Sequence, residues 1–482
     1  MISQILPRGA GRQAWRSCAL AMGLLLLGAC AQLSPDGGFD DVRLRAGRAL
    51  DKDVAAIRTE ADAQAARDRV RQLLGKTLSP DDAVQIALLN NRGLQAAYNE
   101  LFIAEATKVE ASLPPNPTFS IMRMVSRPEV EIERQIAINI LALATLPTRT
   151  AIAEDRFRQA QLRAAEATLR VALETRRAYY RAVAAQQTVS GLVQAQSAAA
   201  AAAILARRLG QTGALNKLDQ AREQVFYAEI AGQLAIARQR AQREREKLIR
   251  LLGVWGADTA FKISPALPTL PRQPRQLPDI EREALGNRID LLTARIELDA
   301  LAKSFGLAQA TRFIDGLEAS GRIDSIRETP GDRFTRTGVE IAFTIPIYDF
   351  GAVRTRQAEQ IYLQAVNRLA AKAVDVRSEA REAYRAYRAA HEIARHYRFE
   401  VLALRKIISD EMLLRYNAMS IDVFELLTEA RQRLAANMTA IDAQRDFWLA
   451  DTDLTAATLG GELETGDADQ PKSSAAPAKA DH

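Results

Sequence analysis

The chain has 482 residues, of which 48% are hydrophobic and 26% charged, and its formal net charge is +6. A surplus this small, carried by interspersed Arg and Glu, indicates solvated helical faces and does not favour nucleic acid as a partner. With three histidines, no phosphate-binding glycine loop and no local Ser/His/Asp motif, the chain is not expected to be an enzyme or to hold a metal or cofactor.

Residues 1–29 are predicted to be an export signal, in which three arginines precede a short apolar segment. The signal ends in Leu27-Gly28-Ala29-Cys30, which resembles the bacterial lipobox, whose cysteine is acylated with fatty acids such as palmitate. An ordinary signal peptidase site is the alternative. Cys18 lies inside the signal, so Cys30 is the only cysteine of the mature chain and no intramolecular disulfide can form. We expect Cys30 to be the lipid anchor, at the outer membrane.

After Cys30 the sequence shows no apolar run of 18 residues, so no transmembrane helix is predicted there. Residues 30–78 are polar and Ala-rich and are predicted to be a lipid-anchored tether with a short helix. Ser79 is a predicted N-cap followed by Pro80 at the first helical position. We expect one helix from Ser79 to about Ser112, because a proline cluster follows.

A β-hairpin is predicted for residues 117–141. Along Val130–Ile140 the even positions are apolar apart from Arg134, and the odd positions are polar, which is the period of a strand. Arg127 and Pro128 form the turn to the partner strand. A very long helix is then expected for 149–209, about 90 Å at 1.5 Å per residue. Leu209–Gly213 turns the chain, and 215–252 returns antiparallel.

The chain then repeats itself. Ala87-Leu88-x-Asn90 returns 197 positions later as Ala284-Leu285-x-Asn287, and strand-like segments recur at an offset of 205. The sequence therefore predicts two repeats, 79–270 and 279–460, joined by the Pro-rich connector 271–278. The second repeat has its hairpin at 312–348, a long helix from Gly351 to Arg415, a turn at 416–420 and a return helix to Ala456. Residues 461–482 are predicted to be a disordered tail.

Four strands are too few for a membrane barrel, because strands in lipid must pair every backbone group and bacterial barrels begin at eight. Two copies would supply eight strands and three would supply twelve, so a membrane role requires an oligomer. The long antiparallel helices indicate coiled-coil packing. In such an oligomer we expect them to pack side by side around the axis of the barrel. The alternative is an elongated helical scaffold without a pore, which would leave the alternating hairpins without a purpose.

At this point the residues resemble the outer membrane factor family, the TolC-like exit ducts of Gram-negative tripartite pumps. The resemblance covers roughly residues 78–460. Its marks are the duplicated Ala-Leu-x-Asn segments, Leu113–Pro117, the run Pro346-Ile347-Tyr348-Asp349-Phe350-Gly351, and Tyr416–Met419 followed by Leu426–Arg431.

The resemblance implies a mainly α protomer with a small membrane β-barrel contribution. A homotrimer would form a twelve-stranded outer-membrane barrel plus a periplasmic α-helical barrel. The expected partners are outer membrane lipid, a periplasmic adaptor and, through it, an inner-membrane transporter. The expected function is the exit duct of a tripartite efflux pump. The alternatives are the exit duct of a type I protein secretion system, which the lipobox disfavours, and a non-conducting periplasmic scaffold lipoprotein. The transported substrate is left open.

In the family the second helical turn forms the periplasmic gate. The usual Gly and Asp of that turn are Met419 and Thr428 here, which puts the standard acidic constriction in doubt. The candidate gate residues are Tyr416, Asp422, Glu425 and Glu429, whose three carboxylates are spaced to share one helix face. In a trimer any inward-facing carboxylate becomes a ring that favours cations; the alternative is a solvated helix face. The candidate adaptor-contact tip comprises Gly213, Asn216, Asp219 and Met419.

Overall fold

The computed structural model describes residues 33–127, 129–328 and 331–460. The predicted signal, Cys30 and the predicted tail from 461 onward lie outside the described residues. The chain forms two compact units, and each takes segments from both repeats. The first unit contains residues up to Arg48, Gln95–Ala165 and Ile289–Ala373, and the second contains the remaining segments.

The elements before the first hairpin are short helices and one short strand. They are, in chain order, α1 (Phe39–Val42), a π-turn (Arg43–Gly47), α2 (Arg48–Leu50), α3 (Glu60–Leu74), β1 (Thr77–Leu78), α4 (Pro80–Asn90) and α5 (Arg92–Ser112). The single helix expected from Ser79 to Ser112 is wrong, because Asn91 divides it. Asn91 has extended backbone angles, and its Oδ1 accepts a hydrogen bond from Leu94 N at 3.0 Å, which caps α5.

The rest of the first repeat is a hairpin and two long helices. They are β2 (Thr118–Ser126), β3 (Glu129–Asn139), α6 (Ile140–Ala144), α7 (Leu146–Gln211) and α8 (Lys217–Leu252), followed by a 3₁₀ turn (Gly256–Ala260) and β4 (Lys262–Ile263). β1 and β4 form a two-stranded parallel sheet.

The second repeat has the same main elements, two helices, a hairpin, a long helix and a return helix, but among the described residues it has no counterpart of α6 or β4. Its elements are α9 (Ile280–Asn287), α10 (Ile289–Ala310), β5 (Gly316–Glu328), β6 (Arg333–Thr344), α11 (Ala352–His396), a π-turn (Tyr397–Val401), α12 (Leu402–Asn417) and α13 (Val423–Leu459). The long helix expected from Gly351 to Arg415 is thus interrupted by the π-turn. Its start is set by Asp349, whose carboxylate accepts hydrogen bonds from Gly351 N and Val353 N at 3.0 and 3.2 Å.

Gly351 is required by its surroundings as well as by its backbone. Its φ is +71°, and a Cβ there would lie 2.1 Å from the carbonyl oxygen of Arg312. Because no side chain fits that space, the end of the Pro-Ile-Tyr-Asp-Phe-Gly run is explained by close packing against the end of α10.

In the first unit the four long strands form one antiparallel sheet in the order β2-β3-β5-β6. The two hairpins are joined through β3 and β5, which pair from Glu129↔Glu328 to Asn139↔Glu318. β2 and β6 are the edge strands. The N-terminal segment of this unit is held by the ring of Phe39 against Tyr98, with centroids 4.8 Å apart, and by Ser34 N donating to Glu105 at 2.7 Å.

In the second unit the helices α3 and α4 pack on the middle of α7 and the end of α8. Tyr179 is fully buried there, and its hydroxyl donates to the carbonyl of Leu78 at 2.7 Å. Asn90, from the first Ala-Leu-x-Asn segment, donates to the carbonyls of Leu252 and Gly253 at 3.1 and 2.7 Å. The motif asparagine therefore closes the C-terminal end of α8, whose last carbonyls have no partner within the helix.

A second core lies between α9, α11 and α13, around buried Tyr387 and Phe447. The Pro-rich segment that leads to α9 is fastened onto it by side chains. Trp448 Nε1 donates to the carbonyl of Pro268 at 3.0 Å, and buried His391 lies 3.0 Å from the carbonyl of Pro271. His391 is thus part of this packing, while His396 lies exposed, 2.9 Å from Glu400.

Among the described residues, one helix, α7, is long and apolar enough to cross a membrane. Its most apolar stretch of 18 residues has a mean hydropathy of 1.4. This differs from the expectation that no such segment follows Cys30. α7 contains the six consecutive alanines 198–203, which are apolar by hydropathy but are also strong helix formers. A single such helix is weak evidence for a span, since helices of soluble proteins satisfy the same criterion.

Candidate functional site

The turn between α7 and α8 is built by one glycine and one capping asparagine. Gly213 has a φ of +76° and is exposed. Asn216 caps α8: its Oδ1 accepts from Asp219 N at 2.9 Å, and its Nδ2 donates to Asp219 Oδ2 at 2.7 Å. Asp219 also pairs with Arg222 at 3.0 Å. Three of the four residues predicted for an adaptor-contact tip therefore lie at this turn, with Asn216 and Asp219 engaged in its structure, whereas Met419 lies at the other helical turn.

The turn between α12 and α13 places Met419 in a conformation that usually belongs to glycine. Its φ is +57°, and its side chain is 93% exposed. The backbone closes by hydrogen bonds from Met419 N to Tyr416 O at 2.9 Å and from Ser420 N to Arg415 O at 3.0 Å. A side chain in the left-handed region costs roughly 1–2 kcal/mol. At the position where the resemblance implies a glycine, the chain therefore has a strained, solvent-facing methionine.

The three candidate gate carboxylates differ in their surroundings. Asp422 is exposed, and its Oδ1 accepts from Glu425 N at 2.9 Å, which caps α13. Glu425 is exposed one turn later. Glu429 is 5% exposed and pairs with Arg405 of α12 at 2.9 Å. Shared spacing on the helix thus does not give the three carboxylates one common environment, and Glu429 serves packing between α12 and α13.

A second buried ion pair joins the two repeats close to the same turns. Glu223 of α8 is 3% exposed, and Arg431 of α13 donates to it at 3.1 Å. The Arg431 guanidinium lies over the ring of Phe226, 4.0 Å from its centroid. The sequence did not predict this pair, because Glu223 and Arg431 are 208 residues apart. An Ala-Arg pair occurs at both places, as Ala221-Arg222 and as Ala430-Arg431, and this similarity between the two repeats was the only signal available in the sequence.

The four-stranded sheet has one polar, mostly acidic face. Residues that pair directly across an antiparallel ladder lie on the same face, so the register assigns each side chain to a face. The polar face carries two arginines, Arg322 and Arg336, and seven acidic residues. The acidic residues are Glu129, Glu131, Glu133, Glu318, Asp324, Glu328 and Glu340.

On the two central strands, β3 and β5, burial follows the same division, whereas β2 and β6 are exposed on both faces. On β5 the polar-face residues Ser320, Asp324 and Ile326 are buried, at 8%, 2% and 2% exposure. Gln135 Nε2 donates to Ser320 Oγ at 2.8 Å across the ladder. Arg322 lies 3.4 Å from Asp324, while Asp324 Oδ1 is buried without a hydrogen-bond partner in the described ranges. A buried carboxylate with an unused oxygen favours positive charge nearby.

The opposite face of the sheet is apolar and turned to solvent. Its exposed side chains are Phe119, Ile121, Val125, Ile136, Ile138, Ile323, Val339, Ile341 and Phe343. Val339 is 86% exposed. A soluble monomer rarely exposes a contiguous apolar surface of this kind, which marks contact with a membrane or a partner.

Outside the sheet, the pKa values of two side chains are shifted where α3, α4 and α7 meet. Burial raises the pKa of the Tyr180 hydroxyl well above its usual range. Burial also opposes ionisation of Asp82, but the hydrogen bonds from Lys76 and Ser79 outweigh it and lower the pKa of that carboxyl. These groups serve packing and helix capping. Among residues 33–127, 129–328 and 331–460, no group of three His, Cys, Asp or Glu side chains has the arrangement of a metal site.

Residues 281–461, essentially the second repeat, match the family model described as outer membrane efflux protein. The resemblance found in the sequence is confirmed. A comparison with curated proteins gave no match. The matched family is one of efflux proteins, not of enzymes, and it supports an efflux channel of the outer membrane in general.

Solved structures of transmembrane and outer membrane channels extend the likeness in fold over most of the chain. CusC is 16% identical with a TM-score of 0.65, over 82% of this chain and 92% of CusC. The CmeC outer membrane channel of Campylobacter jejuni is 17% identical with a TM-score of 0.65, over 80% and 87%. The open MtrE outer membrane channel of Neisseria gonorrhoeae is 15% identical with a TM-score of 0.61, over 82% and 89%. The predicted fold class, mainly helical with a small strand contribution, is confirmed.

Proposed function

We propose that this protein is the outer-membrane exit duct of a tripartite efflux pump. Three copies would close a twelve-stranded barrel, and their helices would form a periplasmic tube. The tube would dock on a periplasmic adaptor that leads to an inner-membrane transporter, with Cys30 as the lipid anchor. In this proposal the two repeats, 79–270 and 279–460, are the two structural halves of each copy.

The observation that carries the proposal is an open sheet whose outer face is apolar and whose edges are unpaired. Within the described residues, β2 and β6 each have a neighbour on one side only. In lipid such an edge would leave a row of backbone groups without hydrogen bonds, at several kcal/mol for each group. Joining β6 of one copy to β2 of the next removes both edges and places the acidic face in the lumen.

An acidic lumen also suggests what the duct passes most readily. Seven acidic residues against two arginines on the polar face of each protomer would form a negative channel wall, which favours cations over anions. This property would bias passage by charge without selecting a particular molecule, so the transporter would determine the substrate.

Reconstitution of the purified protein in planar bilayers tests the proposal. We expect insertion, stepwise conductance and cation selectivity, because the lumen would be acidic. Asp324→Asn combined with Glu133→Gln should reduce cation selectivity while conductance persists. The matched control is Arg123→Gln, which changes charge on the opposite face. A protein that inserts but never conducts, or one that never inserts, would contradict the exit-duct function and favour the scaffold alternative.

The secretion alternative is separated by the partner rather than by conductance. We expect the full-length protein to co-purify with an adaptor of a drug, solvent or metal pump and to restore resistance in a strain that lacks its duct. Restoration of protein secretion without resistance would favour the type I secretion function.

A further inference from the structure

The apolar face of the sheet carries four arginines and no acidic residue. The register places Arg123 on β2, Arg134 on β3, Arg327 on β5 and Arg333 on β6, all on this face. We call these four residues the arginine band. All four are exposed. The acidic residues of the same strands lie on the opposite face, so the band cannot be neutralised within the sheet.

The arginine band lies at the hairpin-turn end of the strands. Arg327 and Arg333 belong to the last paired row before the second turn, in which Val130 is the neighbour of Arg327 on β3. Arg123 lies one row further from the turns, and Arg134 one row beyond Arg123. The rows beyond Arg134 on this face hold Phe119, Ile136 and Val339 among other apolar residues. The face is thus cationic at the turn end and apolar towards the helices.

Arg327 and Arg333 are directly paired across the β5–β6 ladder. Directly opposed residues have their Cβ atoms about 4.5–5.5 Å apart, and like charges in these positions destabilise a sheet. In the described ranges neither arginine has a carboxylate within ion-pair distance. An anion held between the two guanidinium groups would remove this repulsion.

The hydrogen bond of Arg134 shows in which direction its guanidinium group points. Its Nη1 donates to Ser325 Oγ at 3.0 Å. Ser325 lies in the row between Arg134 and Arg327, so the guanidinium extends from the apolar rows towards the turn end. Long cationic side chains take this course when their stems lie in an apolar layer and their heads lie at its polar boundary.

We propose that the arginine band binds the phosphate groups of phosphorylated glycolipid in the membrane leaflet at the hairpin turns. This inference rests on the proposed membrane insertion of the sheet, with the helices in the periplasm and the turns outside. In a Gram-negative outer membrane that leaflet contains lipid A, which carries phosphate monoesters on an acylated sugar. Guanidinium groups match phosphate oxygens with two parallel hydrogen bonds, and adjacent arginines hold one phosphate together.

The geometry also explains why lipid fits better than a soluble anion. A free phosphate could bind the arginines, but it would make no favourable contact with the apolar surface beside them. A phosphorylated lipid places its acyl chains along Phe119, Ile136 and Val339 while its headgroup reaches Arg327 and Arg333. Each basic residue near an anionic lipid surface contributes about fivefold in affinity.

The test measures binding of the detergent-solubilised full-length protein to lipid A by co-elution and titration. We expect Arg327→Gln with Arg333→Gln to lower the affinity about 25-fold. The matched control is Arg322→Gln with Arg336→Gln, which removes the same charge from the polar face and should leave the affinity unchanged. Monophosphoryl lipid A should bind the native protein more weakly than the diphosphorylated form, and inorganic phosphate should compete poorly.

Equal loss in both double variants, or no loss in either, would overturn the proposal. Displacement by inorganic phosphate at the affinity of lipid A would identify free anion binding instead and would also overturn it. Planar-bilayer conductance in phosphatidylcholine keeps this result separate from the proposed function. If the protein conducts but does not bind lipid A, only the proposal for the arginine band is refuted. If the native protein does not conduct, the exit-duct function is refuted even if the protein binds lipid A in detergent.

Discussion

At the residue scale, the charged side chains near the two helical turns have different roles despite similar spacing. Glu429 and Glu223 are buried partners of Arg405 and Arg431. Removing one member of such a pair leaves an uncompensated buried charge, at a cost of about 3–5 kcal/mol. Glu425 is exposed and has no side-chain ion pair in the described ranges. We therefore propose Glu425 as the main carboxylate of the periplasmic gate, with Tyr416 and Asp422 beside it.

Neutralising Glu425 should change conduction without changing the fold. For Glu425→Gln in planar bilayers we expect weaker block by divalent cations and altered single-channel conductance, because a threefold carboxylate ring would be lost. Asp422→Asn removes the neighbouring charge but keeps the cap, since asparagine caps as well as aspartate. The matched control is Glu60→Gln, an exposed carboxylate on α3. Traces of Glu425→Gln and Asp422→Asn identical to those of the native protein would rule out this gate.

At the element scale, the helices begin where short side-chain motifs satisfy their free N–H groups. Ser79 and Asp82 form a reciprocal capping box at the start of α4, and Thr59 and Asp62 form another at the start of α3. In the first case Lys76 Nζ adds an ion pair with Asp82 at 2.8 Å. These motifs are local in sequence, which is why the start of α4 could be predicted. The break at Asn91 is decided by a cap within the predicted helix and was missed.

The Asp82 cap should make stability depend on pH in a defined range. Its pKa in the folded state is lowered from 3.8, so the carboxylate contributes stability above about pH 4, and that contribution is lost as the pH falls through the folded-state pKa. We expect Asp82→Asn to cost about 1 kcal/mol at pH 7 and less at pH 3, where the contribution of the carboxylate has begun to be lost. Circular-dichroism thermal unfolding in detergent measures the difference.

Glu110→Gln, at an exposed position of α5, is the matched control for Asp82→Asn and should not change the midpoint at either pH. A loss of stability in Asp82→Asn that is the same at pH 7 and pH 3 would mean that the carboxylate charge is not the cause.

At the scale of the whole molecule, the sheet is open and is built from both repeats. One hairpin from each repeat yields four strands in the order β2-β3-β5-β6. The bond from Glu328 N to Asp332 O sets the alternation on β6, because hydrogen-bonded and non-bonded pairs alternate along an antiparallel ladder. By this alternation the N–H of Val339 points away from β5, towards the free edge.

Val339→Pro should therefore separate assembly from folding of the protomer. Proline removes a donor at the edge without breaking the β5–β6 ladder, but it leaves an unmatched acceptor on β2 of the neighbouring copy. We expect native mass spectrometry in detergent to show a trimer for the native protein and mostly monomer for Val339→Pro, while circular dichroism shows the same helix content. Val339→Ala is the control and should remain trimeric. Undiminished assembly of Val339→Pro would contradict pairing between β6 and β2.

The amino-acid sequence by itself determined the repeat, the two hairpins with the two faces of each, and the long helices that follow them, but not the break at Asn91 or the short strands β1 and β4. These features follow from local periodicity, caps and turn residues, which act over a few neighbouring positions. Only the tertiary structure decided which carboxylates are paired. Arg405 and Glu429 meet because α12 and α13 pack antiparallel, and such contacts depend on the rotation of one helix against another. It also decided that β3 pairs with β5, and this pairing gathers the arginines on one face and the acids on the other.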